Sequence, residues 1–264
     1  MLVKESTFES NRYLKHQPCY SVKIIENIKL FLRANKYKNK DDKGGIAYIN
    51  ATIKKGQTVF DIGAHKAGYL FWMLQQVGNE GKVFAFEPQK NLYQYLYKIK
   101  ALFHWENVVV EHIALSDKEE EVTLFIPANK VSKGSSPGAS IVKHNEFFEV
   151  GATENVFSIS LDVYCKQKNI QPNFLKIDVE GNELNVFKGG VETLKIYKPK
   201  IFVEIEARHI GKEKVVETFN FLQTLGYQGK FVYGLAYKPL SEFDFEKYQN
   251  TEDKNNYCNN FIFE

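Results

Sequence analysis

The sequence predicts an open α/β sheet whose strands run mostly parallel and carry helices on both faces. From residue 46 onward, short apolar runs alternate with longer segments whose apolar residues recur at helical spacing. The first two apolar runs end in carboxylates, Asp61 and Glu87, and a glycine-bearing loop follows the first of them. A strand, a glycine-bearing turn, a helix and a second strand ending in an acid form the nucleoside-binding unit of such sheets. We therefore expect a ligand site at the carboxyl ends of the strands.

The N-terminal part differs from the rest and predicts a helical extension over residues 1–45. The lysine-rich run KYKNKDDKGG that ends it indicates a solvated connector. We expect the extension to pack on the core or to lie over the site, and residues 46–264 to form one domain. The helix is predicted by apolar residues at helical spacing: Ile24, Ile25, Ile28, Phe31 and Leu32.

The remaining elements are predicted in order along the chain. Gly78 and Gly226 end two of the helices, because glycine commonly follows a helix C-terminus. The run ALSD (residues 114–117) is expected to continue the third strand, and the Ser-, Gly- and Lys-rich residues 128–140 predict a mobile loop. Strands are predicted at residues 58–62, 82–87, 107–111, 121–126, 158–161, 174–178, 198–206, 227–232 and 260–263.

Composition excludes several classes of protein. The formal net charge is only +3 and the basic residues are spread along the chain, which argues against nucleic-acid binding. No apolar run reaches membrane-spanning length, and the first residues lack the apolar stretch of a signal peptide. The cysteines lie far apart without metal-ligand spacing and indicate reduced thiols. We therefore expect a cytoplasmic protein without a membrane span, and its oligomeric state stays open. The cysteines are Cys19, Cys165 and Cys258.

The loop after the first strand favours a nucleoside ligand without a pyrophosphate. Gly63 and Ala64 leave little bulk, and Gly68 stands where free N–H groups of a helix start can meet the ligand. The loop lacks the G-x-G-x-x-G pattern of dinucleotide sites. The loop suits S-adenosylmethionine. The amino-acid end of this ligand can meet the loop, and Glu87 can accept hydrogen bonds from its ribose hydroxyls. An NAD-dependent oxidoreductase and a non-catalytic nucleoside-binding or scaffold protein remain alternatives.

Nearly every predicted parallel strand ends in an acid. Since the carboxyl ends of parallel strands meet at one edge, these carboxylates predict an acidic crevice, although solvated loops are the alternative explanation. Such a crevice suits a cationic or hydroxyl-rich ligand, and S-adenosylmethionine carries a sulfonium, an ammonium and a ribose diol. The acids are Asp61, Glu87, Asp117, Asp178, Glu180, Glu204 and Glu206.

Five motifs in this order resemble the FkbM family of S-adenosylmethionine-dependent methyltransferases. They are FDIGAHKAGYL, VFAFEP, ALSD, LKIDVEGNELNVFKGG and PKIFVEIE, and they span residues 48–206 approximately. The resemblance implies a class I methyltransferase fold, Rossmann-like, with a seven-stranded sheet and a reversed last strand. It also implies O-methylation of a hydroxyl on a saccharide or related small molecule, with S-adenosylhomocysteine as product.

The resemblance assigns roles to residues of this chain. Asp178, Glu180 and Glu204 are expected to orient or deprotonate the acceptor hydroxyl. A helix-start acid is the alternative role for Glu180, and a divalent metal held by these acids is an alternative that we do not favour. Ser116 and Asp117 are expected near the adenine, with a surface turn as the alternative. The remaining cofactor-binding residues are expected to be Asp61, Gly63, His65, Gly68, Tyr69 and Glu87.

The loop departs from the family pattern at two positions. His65 stands where the family commonly has Asn, and it can still donate a hydrogen bond to the carboxylate of the cofactor. Ala67 stands where the family commonly has Gly, so its methyl group is expected to crowd the cofactor unless Gly68 compensates. Two further histidines, His144 and His209, lie in regions that could cover the substrate.

Overall fold

The computed structural model describes residues 20–128, 138–141 and 150–264. The first nineteen residues of the predicted extension, most of the predicted loop over residues 128–140, and His144 therefore lie outside the described residues. The strands are β1 Thr58–Ile62, β2 Lys82–Phe86, β3 Val108–Glu111, β4 Ala114–Ser116, β5 Glu120–Pro127, β6 Val150–Ser160, β7 Phe174–Ile177, β8 Lys200–Glu204, β9 Gly229–Tyr233, β10 Ala236–Pro239 and β11 Asn260–Phe263. The helices are α1 Tyr20–Lys36, α2 Lys43–Thr52, α3 Gly68–Val77, α4 Lys90–Phe103, α5 Leu161–Lys168, α6 Glu183–Lys188, α7 Val191–Tyr197, α8 Ala207–Ile210, α9 Lys212–Thr224 and α10 Phe245–Tyr248.

The main sheet confirms the predicted Rossmann-like architecture. Its strand order is β10-β9-β11-β8-β7-β1-β2-β3. The strands β3, β2, β1, β7 and β8 pair in parallel, whereas β11 runs antiparallel to both β8 and β9. The reversed last strand is thus present. Within the described residues the sheet has eight strands instead of the seven expected, because β10 adds an unpredicted antiparallel edge after a turn at Gly234.

The expectation that ALSD continues the third strand is wrong. β4 leaves the main sheet and pairs in parallel with β6, and β5 pairs with β6 on the other side, so that a second sheet of three strands forms. The end of α6 packs tightly against this strand. A Cβ on Gly189 would lie 2.0 Å from the carbonyl oxygen of Ser116, so only glycine permits this approach.

The central strands are apolar on both faces because helices cover the main sheet on both sides. Successive residues of β1 point to opposite sides: Val59 joins the cluster under α2 and α3, and Phe60 joins the cluster on the other face. Two charged residues interrupt this pattern, Asp61 in β1 and Lys176 in β7, and both are buried. Their burial marks the part of the sheet edge where the site forms.

The N-terminal segment packs on the face of the sheet that carries α3. A short π-helical turn, Tyr37–Asp41, joins α1 to α2, and Asp42 caps α2 by accepting a hydrogen bond from the Gly45 N–H at 2.9 Å. The helix predicted in the extension is present, but α1 packs through Leu30 and Ala34. The apolar residues whose spacing indicated the helix are exposed instead: Ile24, Ile25, Ile28, Phe31 and Leu32.

The expected boundary between residues 45 and 46 lies inside α2, and the division into extension and domain stays a prediction. Among the helices that the structure describes, none is long and apolar enough to cross a membrane.

Candidate functional site

A cavity of about 240 Å³ opens at the carboxyl ends of β1, β2 and β7. It lies where the sequence predicted a ligand site, between the loop after β1 and the turn after β7. Its wall also includes residues 138–141, which lie between β5 and β6 of the second sheet in the sequence. The structure brings seven of the predicted site residues into this wall: Gly63, His65, Gly68, Tyr69, Glu87, Asp178 and Glu180.

The loop after β1 crosses directly over the end of β2. The N–H groups of Gly63 and Ala64 both donate to the carbonyl of Phe86, at 3.0 and 3.1 Å. Gly63 has a φ of +79°, and a Cβ there would lie 1.8 Å from the carbonyl oxygen of Asp178. Glycine is therefore required where β1 and β7 converge, since a side chain would collide with fixed backbone.

Two backbone N–H groups anchor the carboxylate of Glu87 in the cavity wall. One carboxylate oxygen accepts the backbone N–H of His65 at 2.8 Å, and the other accepts that of Gln89 at 2.9 Å. Burial raises the pKa of Glu87 to about 7, although both N–H donors act to lower it. A carboxylate has about four lone-pair sites, so two remain for a ligand. These two acceptor positions fit the two hydroxyls of a ribose.

The sequence analysis missed Lys176, the central cation of the site. Its buried Nζ lies 3.2 Å from Asp61 Oδ1 and 3.6 Å from Asp178 Oδ2, and it donates to the carbonyl of Gly63 at 2.8 Å. Burial acts to lower the pKa of Lys176, but the charges of Asp61 and Asp178 outweigh it and raise this pKa. A single lysine within the apolar run FLKI was the available signal, because a buried charge needs a partner.

Asp61 is fully buried behind the cavity wall instead of lining it. Burial raises its pKa, and the Lys176 ammonium opposes this rise. That Asp61 shapes the loop around the cofactor stays a prediction. In the structure Asp61 reaches the loop only indirectly, because it pairs with Lys176 and Lys176 donates to the Gly63 carbonyl.

Asp178 and Glu180 line the cavity from the turn after β7. The carbonyl of Glu180 accepts the Ser140 hydroxyl at 2.7 Å, and its carboxylate Oε2 lies 3.3 Å from His209 Nδ1. Burial and the charge of Asp178 raise the pKa of Glu180 to about 8. Glu183 begins α6 and accepts the N–H of Gly181 at 2.9 Å, which fixes this turn. The turn thus presents a carboxyl of high proton affinity beside a histidine.

Glu204 lies near Asp178 and Glu180 but does not line the cavity. Burial, together with Asp178 and the neighbouring Glu206, raises its pKa well above the usual range. Burial acts to raise the pKa of Glu206 also, but hydrogen bonds from Glu204, Asn259 and Tyr257 lower it. Glu204 is therefore the member of this two-carboxyl pair with the higher proton affinity, and Asn259 Nδ2 bridges the two carboxyl groups at 2.7 and 2.9 Å.

The predicted adenine-side residues also lie outside the wall. Ser116 is buried, and its hydroxyl donates to its exposed neighbour Asp117 at 3.3 Å. The preceding residues 113–115 line the wall instead, and Asn182 Nδ2 donates to the carbonyl of Leu115 at 3.1 Å. The assignment of Ser116 and Asp117 to the adenine stays a prediction that their side chains do not support.

Ala67 does not line the cavity either, so its methyl group is directed into the core. Ala67 is fully buried and has a φ of +65°. An alanine here therefore strains the backbone and does not crowd the cavity. The expected crowding by Ala67 is therefore not what the structure shows.

The N-terminal segment contributes a residue that sequence reasoning missed. Tyr37 lines the cavity and packs edge-on against Tyr69, with ring centroids 5.1 Å apart. Burial and the charge of Asp178 raise the pKa of Tyr37 to about 12. The Tyr69 hydroxyl donates to Asp42 at 2.6 Å, so the segment holds the start of α3 from two sides. These contacts join residues far apart in sequence, and no local motif indicates them.

Metal ligation finds no support in the described part of the chain. No group of three or more His, Cys, Asp or Glu residues there is arranged to hold an ion. Asp178 Oδ2 is instead paired with the Lys176 ammonium.

Residues 61–229 match the family model described as the methyltransferase FkbM domain, which is more than half of the chain. The structure is similar to that of a methyltransferase FkbM from Methylobacillus flagellatus KT, at 15% identity and a TM-score of 0.50, over 92% of this chain. The chain covers only 60% of that protein. No curated protein matches the sequence.

Two further solved structures show weaker likeness. A SAM-dependent O-methyltransferase from Thermotoga maritima is 14% identical, with a TM-score of 0.46 over 88% of this chain and 69% of that one. Aeropyrum pernix fibrillarin, solved with natively bound S-adenosyl-L-methionine, is 12% identical, with a TM-score of 0.47 over 84% of this chain and 73% of that one.

Proposed function

Because the chain belongs to the FkbM family of S-adenosylmethionine-dependent methyltransferases, we propose that it methylates a hydroxyl group of a saccharide or related small molecule. The observation that carries the proposal is the position of Glu87. Its carboxylate stands at the end of β2 inside the cavity, held by two backbone N–H donors with capacity left for a diol. Bound S-adenosylmethionine supplies an activated methyl group on a sulfonium.

The residues around the loop after β1 hold the cofactor in this proposal. Glu87 accepts the ribose hydroxyls through short, charge-assisted hydrogen bonds. Gly63 and Gly68 leave room for the methionine part, and His65 and Tyr69 complete that wall. The bound product after transfer is S-adenosylhomocysteine.

The turn after β7 activates the acceptor. Glu180 is the general base, because its raised pKa lets it take a proton from a hydroxyl near neutral pH. Asp178 orients the acceptor from the same wall. Glu204 acts from behind the cavity wall: its raised pKa favours the neutral carboxyl, which adds no further negative charge beside Asp178 and Glu180. Positioning contributes much of the rate, since the methyl donor is already activated.

Two other functions would use the same sheet edge, and the observations support them less well. An NAD-dependent oxidoreductase needs a loop that admits a pyrophosphate, and this loop lacks the glycine pattern for it. A non-catalytic nucleoside-binding or scaffold protein needs no group such as Glu180 with a pKa raised toward neutrality. We place the protein in the cytoplasm, as the sequence analysis expected.

Calorimetry followed by a transfer assay tests the proposal. We expect micromolar binding of S-adenosylmethionine and S-adenosylhomocysteine, weakened about tenfold or more by Glu87→Ala because hydrogen bonds to a charged group are lost. Methyl-labelled cofactor is then incubated with a panel of free saccharides, and products are read by mass and by NMR of the O-methyl group. Glu180→Gln should keep the binding and lose the transfer. Binding without transfer to any acceptor would support a scaffold, and absence of binding would refute the proposal.

A further inference from the structure

The loop over residues 63–68 holds two residues with side chains in the left-handed backbone region. His65 has a φ of +47° and Ala67 has a φ of +65°. This conformation is unfavourable for residues that carry a Cβ, and it persists only where the surroundings enforce it. The loop therefore needs stabilising contacts from other parts of the chain. Lys66, which lies between the two strained residues, accepts one such contact.

Arg33 on α1 provides that contact. Its Nη1 donates to the carbonyl of Lys66 at 2.6 Å and to the hydroxyl of Tyr95 on α4 at 3.1 Å. The guanidinium also lies over the Tyr95 ring, 5.6 Å from its centroid. Tyr95 thus fixes the position of Arg33, and a charge-assisted hydrogen bond fixes the carbonyl between two strained residues.

The same loop sets the geometry of the ribose-binding acid. The N–H of His65, the residue before Lys66, donates to Glu87 at 2.8 Å. Arg33 itself does not line the cavity. Any influence that Arg33 has on a ligand must therefore pass through the backbone of the loop.

We infer that Arg33 is a positioning residue that holds the loop over residues 63–68 in its ligand-binding conformation, so that α1 is a working part of the nucleoside site. The inference depends on the proposed function only for the identity of the ligand. It predicts that loss of the guanidinium loosens the loop in the free protein and weakens cofactor binding, without loss of the fold.

The test compares Arg33→Met with Lys36→Met, which removes an exposed cation of the same helix that pairs only with Asp41 in the described structure, at 2.7 Å. Two quantities are measured: the affinity for S-adenosylhomocysteine, and amide hydrogen exchange of residues 63–70 without ligand. We expect Arg33→Met to weaken binding about tenfold, the scale of one charged hydrogen bond, and to speed this exchange. Lys36→Met should change neither, and Arg33→Lys should recover part of the affinity.

A repair experiment separates positioning from general packing of α1. Glycine adopts the left-handed conformation without a steric penalty, so Ala67→Gly removes part of the strain that Arg33 opposes. In the Arg33→Met background, we expect Ala67→Gly to restore the affinity to within about threefold of wild type. A defect caused by poor packing of α1 would not respond to a glycine in the loop.

The outcomes are distinct. Unchanged exchange at residues 63–70 in Arg33→Met would overturn the inference, and so would faster exchange with unchanged affinity. A wild type that binds no S-adenosylhomocysteine would instead refute the proposed function, while the exchange data would still decide whether Arg33 holds the loop.

Discussion

The ammonium of Lys176 lies 3.2 Å from Asp61 Oδ1, and both side chains are excluded from solvent. The pair joins neighbouring strands, β7 and β1, and Lys176 lines the cavity while Asp61 lies behind it. Removing one member of a buried pair leaves an uncompensated charge, which costs about 3–5 kcal/mol. We therefore predict that Lys176→Met lowers the free energy of unfolding by about this amount, measured by urea denaturation.

Asp61→Asn should cost less than Lys176→Met, because Lys176 keeps Asp178 and the Gly63 carbonyl as partners. The matched control is Lys188→Met, which removes a surface lysine paired with Glu217 at 3.1 Å and should cost less than about 1 kcal/mol. If Lys176→Met were no more costly than this control, the buried pair would not stabilise the fold.

A second prediction uses two glycines with nearly equal backbone angles. Gly56 has a φ of +80°, and a Cβ added there would meet no described atom within 4 Å, whereas a Cβ on Gly63, at +79°, would meet the Asp178 carbonyl at 1.8 Å. Gly56→Ala should cost only the left-handed penalty, about 1–2 kcal/mol. Gly63→Ala should add an overpacking cost of about 1–3 kcal/mol, measured by denaturation, and should abolish cofactor binding. Equal costs at the two positions would contradict the close approach of β1 and β7.

Sequence reasoning located the site at the carboxyl ends of the strands but missed the buried ion pair beside it. Glu87 and the loop after β1 were identifiable because a strand, a glycine and an acid occur at short range in the sequence. Lys176 was not paired with Asp61 because the two are 115 positions apart, and only the register of β1 against β7 shows that they meet.

The N-terminal helix shows a different limit of sequence reasoning. Periodic apolar residues predicted α1 correctly, yet its packing face is formed by Leu30 and Ala34 while Ile28 and Leu32 are exposed. Helical periodicity predicts that a helix forms, but it does not decide which face of the helix is buried. That face is set by tertiary contacts such as the hydrogen bond from Trp72 Nε1 to the Ala34 carbonyl at 2.9 Å.

The third prediction concerns pH. Burial raises the pKa of Glu87 to about 7, with Lys176 acting to lower it and Asp61 to raise it. In the proposed function the carboxylate form of Glu87 accepts hydrogen bonds from both ribose hydroxyls, so we expect binding to require the deprotonated acid. Affinity for S-adenosylhomocysteine should therefore fall as the pH drops below about 7, by up to about tenfold per unit for one proton.

Calorimetry between pH 5.5 and 8.5 measures this dependence, and buffers with different ionisation enthalpies report the released proton. Glu87→Gln cannot titrate and should bind weakly with an affinity that is flat over the same range. A slope that persists in Glu87→Gln would assign the proton to another acid, such as Glu180, whose pKa is raised to about 8.

The final prediction tests whether Tyr37 forms a wall of the cofactor site. A Cβ on Gly68 would lie 2.9 Å from Tyr37 Cε2, so Gly68→Ala must displace the Tyr37 ring, which packs against Tyr69. We expect Gly68→Ala to weaken S-adenosylhomocysteine binding several-fold. Where Tyr37 is already replaced in Tyr37→Leu, adding Gly68→Ala should have little further effect, because no ring is left to displace. If the loss were the same in both backgrounds, the alanine methyl group would be acting on the cofactor directly and not through the Tyr37 ring.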